Sequence, residues 1–127
     1  MKHKPLPELV AVVNKLKQMR EVQGVYLFGS YARGTPSPLS DVDLAVITTP
    51  LSEEQKTAVV LAGPTNKFDI TLLEDLPPAI SFRVFKEGRP LWVRDPLFVH
   101  RQKMRAISDY LDYKPMLERM TKRVLET

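Results

Sequence analysis

The stretch Val25–Thr48, VYLFGSYARGTPSPLSDVDLAVIT, decides the fold, because it holds two apolar segments joined by a turn-rich connection. The first segment, 25–28, is a short run of β-forming residues that ends at Gly29-Ser30, where the chain has to turn. The second segment, 44–47, directly follows an acidic pair. The pattern therefore predicts two strands with polar groups gathered at one end.

The turn after the first strand has the features of an anion site. The segment 31–34, Tyr-Ala-Arg-Gly, fits one helical turn, and the first backbone N–H groups of such a turn lack partners within it. With the Ser30 hydroxyl beside them, these groups suit the triphosphate tail of a nucleotide. Arg33 would add a charged donor, although pairing with an acid is an equally good interpretation. The candidate nucleotide-binding residues are therefore Gly29, Ser30 and Arg33.

Asp41 and Asp43 open the second predicted strand. Side chains two residues apart in a strand point to the same face, at a spacing of roughly 6.5 Å along the strand. Magnesium favours one or two carboxylates together with substrate phosphates and water. The pair alone would also suit ordinary acids at a strand edge. Its position ten residues after Gly29-Ser30 favours a metal site beside a phosphate-binding turn.

Asp69 is the candidate for a third metal-binding carboxylate. The segment 67–73 predicts another strand, in which Asp69 lies on the face opposite the apolar side chains. In a two-metal site, one ion activates the attacking hydroxyl and the other holds the triphosphate and the leaving group. If this strand lies next to the second one, Asp41, Asp43 and Asp69 form the predicted catalytic and metal-binding set for two Mg²⁺ ions.

Gly29-Ser30, ten residues and then Asp41-x-Asp43 resembles the signature of the DNA polymerase β-like nucleotidyltransferase superfamily. More narrowly, the chain resembles the minimal nucleotidyltransferase (MNT) antitoxins through FDIT, the hairpin-like GRPLWVRDP segment and YLDYKPM. The resemblance implies an α+β fold with a small mixed sheet packed by helices and a C-terminal helical segment. It also implies transfer of AMP from ATP to a tyrosine hydroxyl of a HEPN-type toxin, with which the antitoxin forms a hetero-oligomer.

Two alternative functions remain open at this point. A small-molecule nucleotidyltransferase of the aminoglycoside-modifying kind shares the catalytic module but needs more chain to enclose its acceptor, and a template-copying polymerase fits worse for the same reason. A non-catalytic antitoxin would neutralise its partner by binding alone. The intact Gly-Ser pair and three acids favour activity.

Composition limits the class of protein. At 127 residues, we expect one nucleotidyltransferase domain, with a catalytic core at 1–95 and the helical segment at 96–127. The 43% apolar and 27% charged residues are typical of a globular protein, and no membrane-length segment or signal peptide is evident, so we expect a cytoplasmic location. The absence of cysteine excludes disulfides and thiol catalysis.

The net charge of +4 is concentrated in the C-terminal part of the chain. Residues 1–75 carry 8 basic and 9 acidic side chains, whereas residues 76–127 carry 11 and 6. A positive surface there would steer ATP, an acidic protein or RNA, and a solvated helix face explains it equally well. We expect no membrane association and no direct binding of nucleic acid.

Helical periodicity and capping signals predict the remaining elements. In chain order they are a helix from Pro5 to Val22 stopped by Gly24, a helix from the Ser52 capping box to Gly63-Pro64, a helix from Pro77-Pro78 to Gly88, a strand at 91–93, a helix from Asp95-Pro96 to Leu111, and a helix bent or restarted at Pro115 that runs from 116 to 125. We expect Trp92 in the core, His3 and His100 at the surface, and ordinary packing for Met116, Met120, Tyr110 and Tyr113.

Overall fold

The computed structural model describes residues 7–34 and 41–126, which form a four-stranded sheet with helices on both faces. The elements are α1 (Pro7–Lys17), β1 (Val22–Phe28), β2 (Val42–Thr48), α2 (Glu53–Val60), β3 (Phe68–Leu72), a 3₁₀ turn (Leu73–Asp75), α3 (Pro78–Glu87), β4 (Arg89–Val93) and α4 (Pro96–Leu125). The strand order is β3-β2-β1-β4, in which β2 and β3 are parallel and the other neighbours antiparallel. This confirms the predicted α+β fold with a small mixed sheet.

The sheet separates two apolar layers, because successive side chains of each strand point to opposite faces. On one face, the core includes alternate residues of β2 and β3 packed against α1 and α2: Val12, Leu16, Leu44, Val46, Val59 and Ile70. On the other face, Ala45 and Ile47 pack against α3 and α4. Asp43 and Asp69 alternate onto this second face, beyond the part that the two helices cover.

The first helix is shorter than predicted. It ends at Lys17, and β1 already begins at Val22, so the prediction of a helix to Val22 stopped by Gly24 was wrong. Gly24 lies inside β1, where an added Cβ would come within 3.0 Å of the Val99 side chain of α4. The glycine therefore permits close packing of helix on strand, and the predicted start at Pro5 lies outside the described residues.

The guanidinium of Arg94 joins the end of α1 to the sheet. Its Nε donates to the Val22 carbonyl at 2.9 Å, and its Nη2 donates to the carbonyls of Lys17 and Met19. The same group lies 4.7 Å from the centre of the half-buried Trp92 ring. Because the last carbonyls of a helix lack intrahelical partners, this side chain satisfies groups that only water would otherwise reach.

Replacing Arg94 by alanine is expected to lower the free energy of unfolding by about 1.5–3 kcal/mol, the typical value for hydrogen bonds to a charged group. Arg94→Lys should recover only part of the loss, because an ammonium lacks the planar fork that reaches several carbonyls. Urea denaturation measures both. Arg101→Ala, which removes an exposed arginine from α4, is the control and should change stability by less than about 0.5 kcal/mol.

Four predicted helix boundaries are confirmed, at Ser52, Pro77-Pro78, Gly88 and Asp95-Pro96, and two predictions need correction. The Ser52 capping box is present, with reciprocal Ser52–Gln55 hydrogen bonds of 2.9 and 3.2 Å, and α3 ends at Gly88. However, α2 ends at Val60, before the predicted Gly63-Pro64 stop. The GRPLWVRDP segment is a single strand, β4, that pairs with β1 instead of folding back on itself as a hairpin.

The last helix does not break at Pro115. α4 is continuous from Pro96 to Leu125, which corrects the predicted bend or restart. Pro115 cannot donate to the carbonyl one turn before it, and in an exposed part of a helix water can bind that carbonyl instead. Met116 and Met120 are 44% and 54% exposed, so the expectation of ordinary packing for this pair was wrong. None of the described helices, α4 included, is long and apolar enough to span a membrane.

Candidate functional site

Strand register brings two of the predicted acids together. Phe28, the last residue of β1, pairs with Asp43 in β2, and Asp43 pairs in turn with Asp69 in the parallel neighbour β3. The strand adjacency on which the choice of Asp69 depended is confirmed. The C-terminal end of β1 therefore meets the N-terminal ends of β2 and β3, and we call this end of the sheet the acidic edge.

Gly29 lies directly against the Asp43 carboxylate. Its φ of +74° is in the left-handed region that side chains with a Cβ rarely adopt. A Cβ at this position would overlap with Oδ2 of Asp43 and lie 3.1 Å from its Cγ. The glycine thus allows the chain to turn and leaves the space that the carboxylate occupies.

The turn after β1 has the predicted form of a single helical turn. The Arg33 amide donates to the Gly29 carbonyl at 3.2 Å, and the Gly34 amide donates to the Tyr31 carbonyl at 3.3 Å. Within residues 7–34 and 41–126, the amides of Ser30, Tyr31 and Ala32 have no backbone acceptor. These donors lie at the start of the turn, beside the acidic edge, where an anionic group would satisfy them.

Arg33 lies between the acidic edge and α3. Its Nη1 is 4.0 Å from Oε2 of Glu87, and both side chains are about half exposed, so the ion pair is weak. Arg33 therefore remains available to a stronger anion such as a phosphate. The contact between Arg33 and Glu87 could not be predicted from neighbouring residues, because the two side chains are more than fifty positions apart in the sequence.

Charge and burial act together on Asp43. Burial raises the pKa of its carboxyl group above the ordinary value, and the neighbouring charges of Asp69 and Asp41 raise it further, while Arg33 partly offsets them. The ionised group is therefore destabilised in the metal-free protein, and a bound cation would relieve that penalty. Asp41 itself is exposed, immediately before β2.

The aspartate carboxylates are ligands of the kind that Mg²⁺ prefers, although their side chains do not converge on a single position. Among the described residues, no group of three or more histidine, cysteine, aspartate or glutamate side chains is placed to hold a metal ion. The Asp69 carboxylate accepts a hydrogen bond from the Thr71 hydroxyl at 3.4 Å. This contact is predictable from the sequence, because side chains two residues apart in a strand point to the same face. Magnesium needs only one or two carboxylates when phosphates and water complete its shell.

Four cavities are formed by the described residues, and Gly29, Asp43 and Asp69 line none of these four. Two of them, of about 260 and 270 Å³, share Leu73, Glu74, Gln102 and Arg105 at the opposite end of the sheet. A nucleotide at the acidic edge would therefore be held by backbone donors and carboxylates along one side only. The opposite side would have to come from another molecule or from residues outside the described ranges.

Residues 11–97 match the family described as Polymerase beta, Nucleotidyltransferase. The chain therefore belongs to the polymerase β nucleotidyltransferase family.

Particular relatives extend the comparison. A protein of Methanocaldococcus jannaschii, provisionally named a protein adenylyltransferase, is 30% identical over 75 residues, and the match spans 58% of each chain. A crystal structure of a toxin–antitoxin with AMP-PNP shows 25% identity and a TM-score of 0.74, covering 94% of this chain and 99% of its own. An MNT antitoxin bound to a tri-AMPylated Shewanella oneidensis HEPN toxin shows 22% identity and a TM-score of 0.65, covering 90% of this chain and 92% of its own. This last likeness is one of fold.

Proposed function

We propose that this chain is a Mg²⁺-dependent protein adenylyltransferase that acts as an antitoxin, transferring AMP from ATP to a tyrosine hydroxyl of a HEPN-type toxin. The observation that carries the proposal is the register that sets Asp43 beside Asp69 and against Gly29, at the start of a turn whose first amides have no backbone acceptor among the described residues. Family membership supports nucleotidyl transfer. The name of the M. jannaschii relative and the AMP-PNP in a similar structure support ATP as donor and a protein as acceptor.

In this proposal the residues divide the work between donor and acceptor. Asp41 and Asp43 hold Mg²⁺, and Asp69 completes the set on the acceptor side. The bound metal supplies charge neutralisation on the phosphates and a lower pKa for the acceptor hydroxyl. Gly29, Ser30 and Arg33 hold the β- and γ-phosphates through the turn amides, a hydroxyl and a guanidinium.

The proposed transfer of AMP needs no reactant besides ATP and the acceptor hydroxyl. The acceptor oxygen forms a bond to the α-phosphorus as the bond from that phosphorus to the bridging oxygen breaks. Pyrophosphate leaves with the electron pair, and the Asp69 carboxylate takes the hydroxyl proton. Each transferred AMP adds bulk and negative charge to the toxin, which should repel an anionic substrate such as RNA. Since ATP is the donor, we propose a cytoplasmic location.

The direct test is to incubate the purified chain and its HEPN-type toxin with ATP and Mg²⁺ and to weigh the toxin by intact-mass spectrometry. The expected result is a mass increase of one or more AMP groups, located to tyrosine by peptide mapping and absent with the Asp41→Asn protein. An unchanged toxin mass, together with full neutralisation by the Asp41→Asn protein, would replace the enzymatic proposal with neutralisation by binding alone.

Ser30→Ala and Asp69→Asn are expected to affect different kinetic constants. Loss of the Ser30 hydroxyl should mainly raise the KM for ATP, because it removes a contact to the triphosphate present before and during reaction. Asp69→Asn should lower kcat by about 100-fold or more with a smaller change in KM, because it removes the acceptor-side carboxylate. Steady-state transfer at varied ATP distinguishes them. Equal changes in both constants for both variants would contradict this division of roles.

A further inference from the structure

The direction of α4 relative to the acidic edge is set by its contacts with α3. Near the start of α3, Pro78 and Ser81 border the same cavity as Arg105 and Ala106. Further along, the Phe82 and Tyr110 rings stack with centroids 4.3 Å apart and planes 10° apart. The two helices therefore run in the same direction.

Both helices run toward the acidic edge, and α4 continues past it. α3 ends at Glu87, whose side chain meets Arg33 at that edge. From the Phe82–Tyr110 contact, α3 has only five more residues, whereas α4 continues for fifteen, to Leu125. At 1.5 Å per residue, α4 extends roughly 15 Å beyond the end of α3, on the side of the sheet where the candidate site lies.

The projecting half of α4 keeps the apolar face that is buried in its first half. Val99 and Ala106 are 5% and 6% exposed within the second core layer. Helical spacing continues the same face in a set of residues separated by three or four positions: Tyr110, Tyr113, Leu117 and Met120. We call these four residues with Met116 the α4 stripe. Beyond Tyr110, Tyr113 and Leu117 are partly buried, and Met116 and Met120 are about half exposed.

We infer that the α4 stripe is the docking surface for the acceptor protein, and that it receives an amphipathic helix of that protein and so presents the acceptor hydroxyl to the acidic edge. The inference rests on the proposed function, because it assigns the acceptor of that reaction to this surface. The heptad-like spacing of the stripe suits a helix lying along it.

Position and charge favour the acceptor protein over a second copy of the chain as occupant. Among the described residues, the acidic edge is lined by the turn amides and the carboxylates, and α4 packs on the same face of the sheet as Asp43 and Asp69. A molecule docked there contacts α4 and reaches the bound nucleotide at once, which is what transfer between two proteins requires. Residues 96–126 carry seven Lys or Arg and four Asp or Glu, so the complementary surface is acid-rich, whereas a second copy would bring the same positive excess.

Met120→Glu and Leu111→Glu form a matched pair for the test. Both side chains are exposed on α4, at 54% and 59%. They lie nine residues apart, two and a half turns, so Leu111 is on the face opposite the α4 stripe. Methionine, leucine and glutamate are all good helix formers, so neither change should disturb the helix, which thermal melting by circular dichroism verifies.

The experiment measures three quantities for the parent and both variants: affinity for the purified HEPN-type toxin, affinity for ATP with Mg²⁺, and the mass of the chain alone by light scattering. We expect Met120→Glu to weaken toxin binding by at least about tenfold and to leave ATP affinity unchanged, and Leu111→Glu to bind both like the parent. Transfer of AMP to the toxin should fall with toxin binding.

Each other outcome decides the matter. Equal toxin affinity for all three proteins, or no binding by the parent, overturns the docking inference. A change in the chain's own mass with Met120→Glu, at unaltered toxin affinity, assigns the α4 stripe to a second copy instead. Weakened toxin binding with no AMP transfer by the parent supports the docking surface and rejects the proposed transfer, so the two failures are distinguishable.

Discussion

Asp43→Asn is expected to lower AMP transfer by at least about 100-fold and to raise the free energy of unfolding at neutral pH. In the proposed role, the Asp43 charge binds the metal, so its loss would remove an interaction worth several kcal/mol at the reacting phosphates, and each 1.4 kcal/mol corresponds to a factor of about ten in rate. The fold should persist, because asparagine has the same shape as aspartate and fits the same space against Gly29.

The stability gain has a defined pH dependence. The pKa of Asp43 is raised in the folded chain, from an ordinary value near 3.8, so the native state holds this proton more tightly than the unfolded state does. The Asp43 contribution therefore favours folding at low pH and is lost as pH rises through the raised pKa. The stability of Asp43→Asn relative to the parent should increase across that window and level off above it.

Urea denaturation without metal, repeated between about pH 3 and 8, measures this difference. Asp75→Asn, which neutralises an exposed acid of the 3₁₀ turn, is the control and should show no comparable rise. Parental transfer by Asp43→Asn with Mg²⁺ present would reject the assignment of Asp43 to the metal. A lower stability of the variant at pH 7 would reject the account of its electrostatics.

Gly29→Ala is expected to reduce transfer by about 100-fold or more and to destabilise the fold. Two effects combine: the left-handed backbone costs a residue with a Cβ about 1–2 kcal/mol, and the new Cβ overlaps with the Asp43 carboxylate. Either the turn or the carboxylate has to move. A displacement of about 1 Å at a reacting site is enough to lose a factor of about 100 in rate.

Gly34→Ala is the control, because Gly34 has the same backbone conformation as Gly29 but different neighbouring atoms. Gly34 has nearly the same φ, +73°, but an added Cβ there meets no atom within 4 Å among the described residues. Gly34→Ala should therefore show the loss of stability from the backbone and keep most of the transfer activity. Steady-state transfer and urea denaturation of both variants separate the two effects. Similar activities for the two proteins would show that contact with Asp43 is not what requires Gly29.

Local sequence rules predicted the structure correctly wherever the conformation of a short segment depends only on its own residues. The capping box at Ser52, the stop at Gly88 and the hydrogen-bonded turn after Gly29 depend on residues within a few positions, and each is present. Local rules gave the wrong result at Gly24: they predict the end of a helix there, whereas Gly24 lies within β1. Its small size serves packing against α4, a contact between residues 75 positions apart.

The sequence by itself determined the strands, the alternation that puts Asp69 opposite its apolar neighbours, and the spacing of the Gly-Ser turn and the acids, because all of these follow from backbone geometry over short distances. Only the tertiary structure decided that β3 lies parallel to β2, that Glu87 reaches Arg33, and that α4 passes Pro115 unbroken with Met116 and Met120 exposed. The physical reason is that strand pairing and helix packing depend on which distant surfaces bury each other, and short-range spacing does not specify that choice.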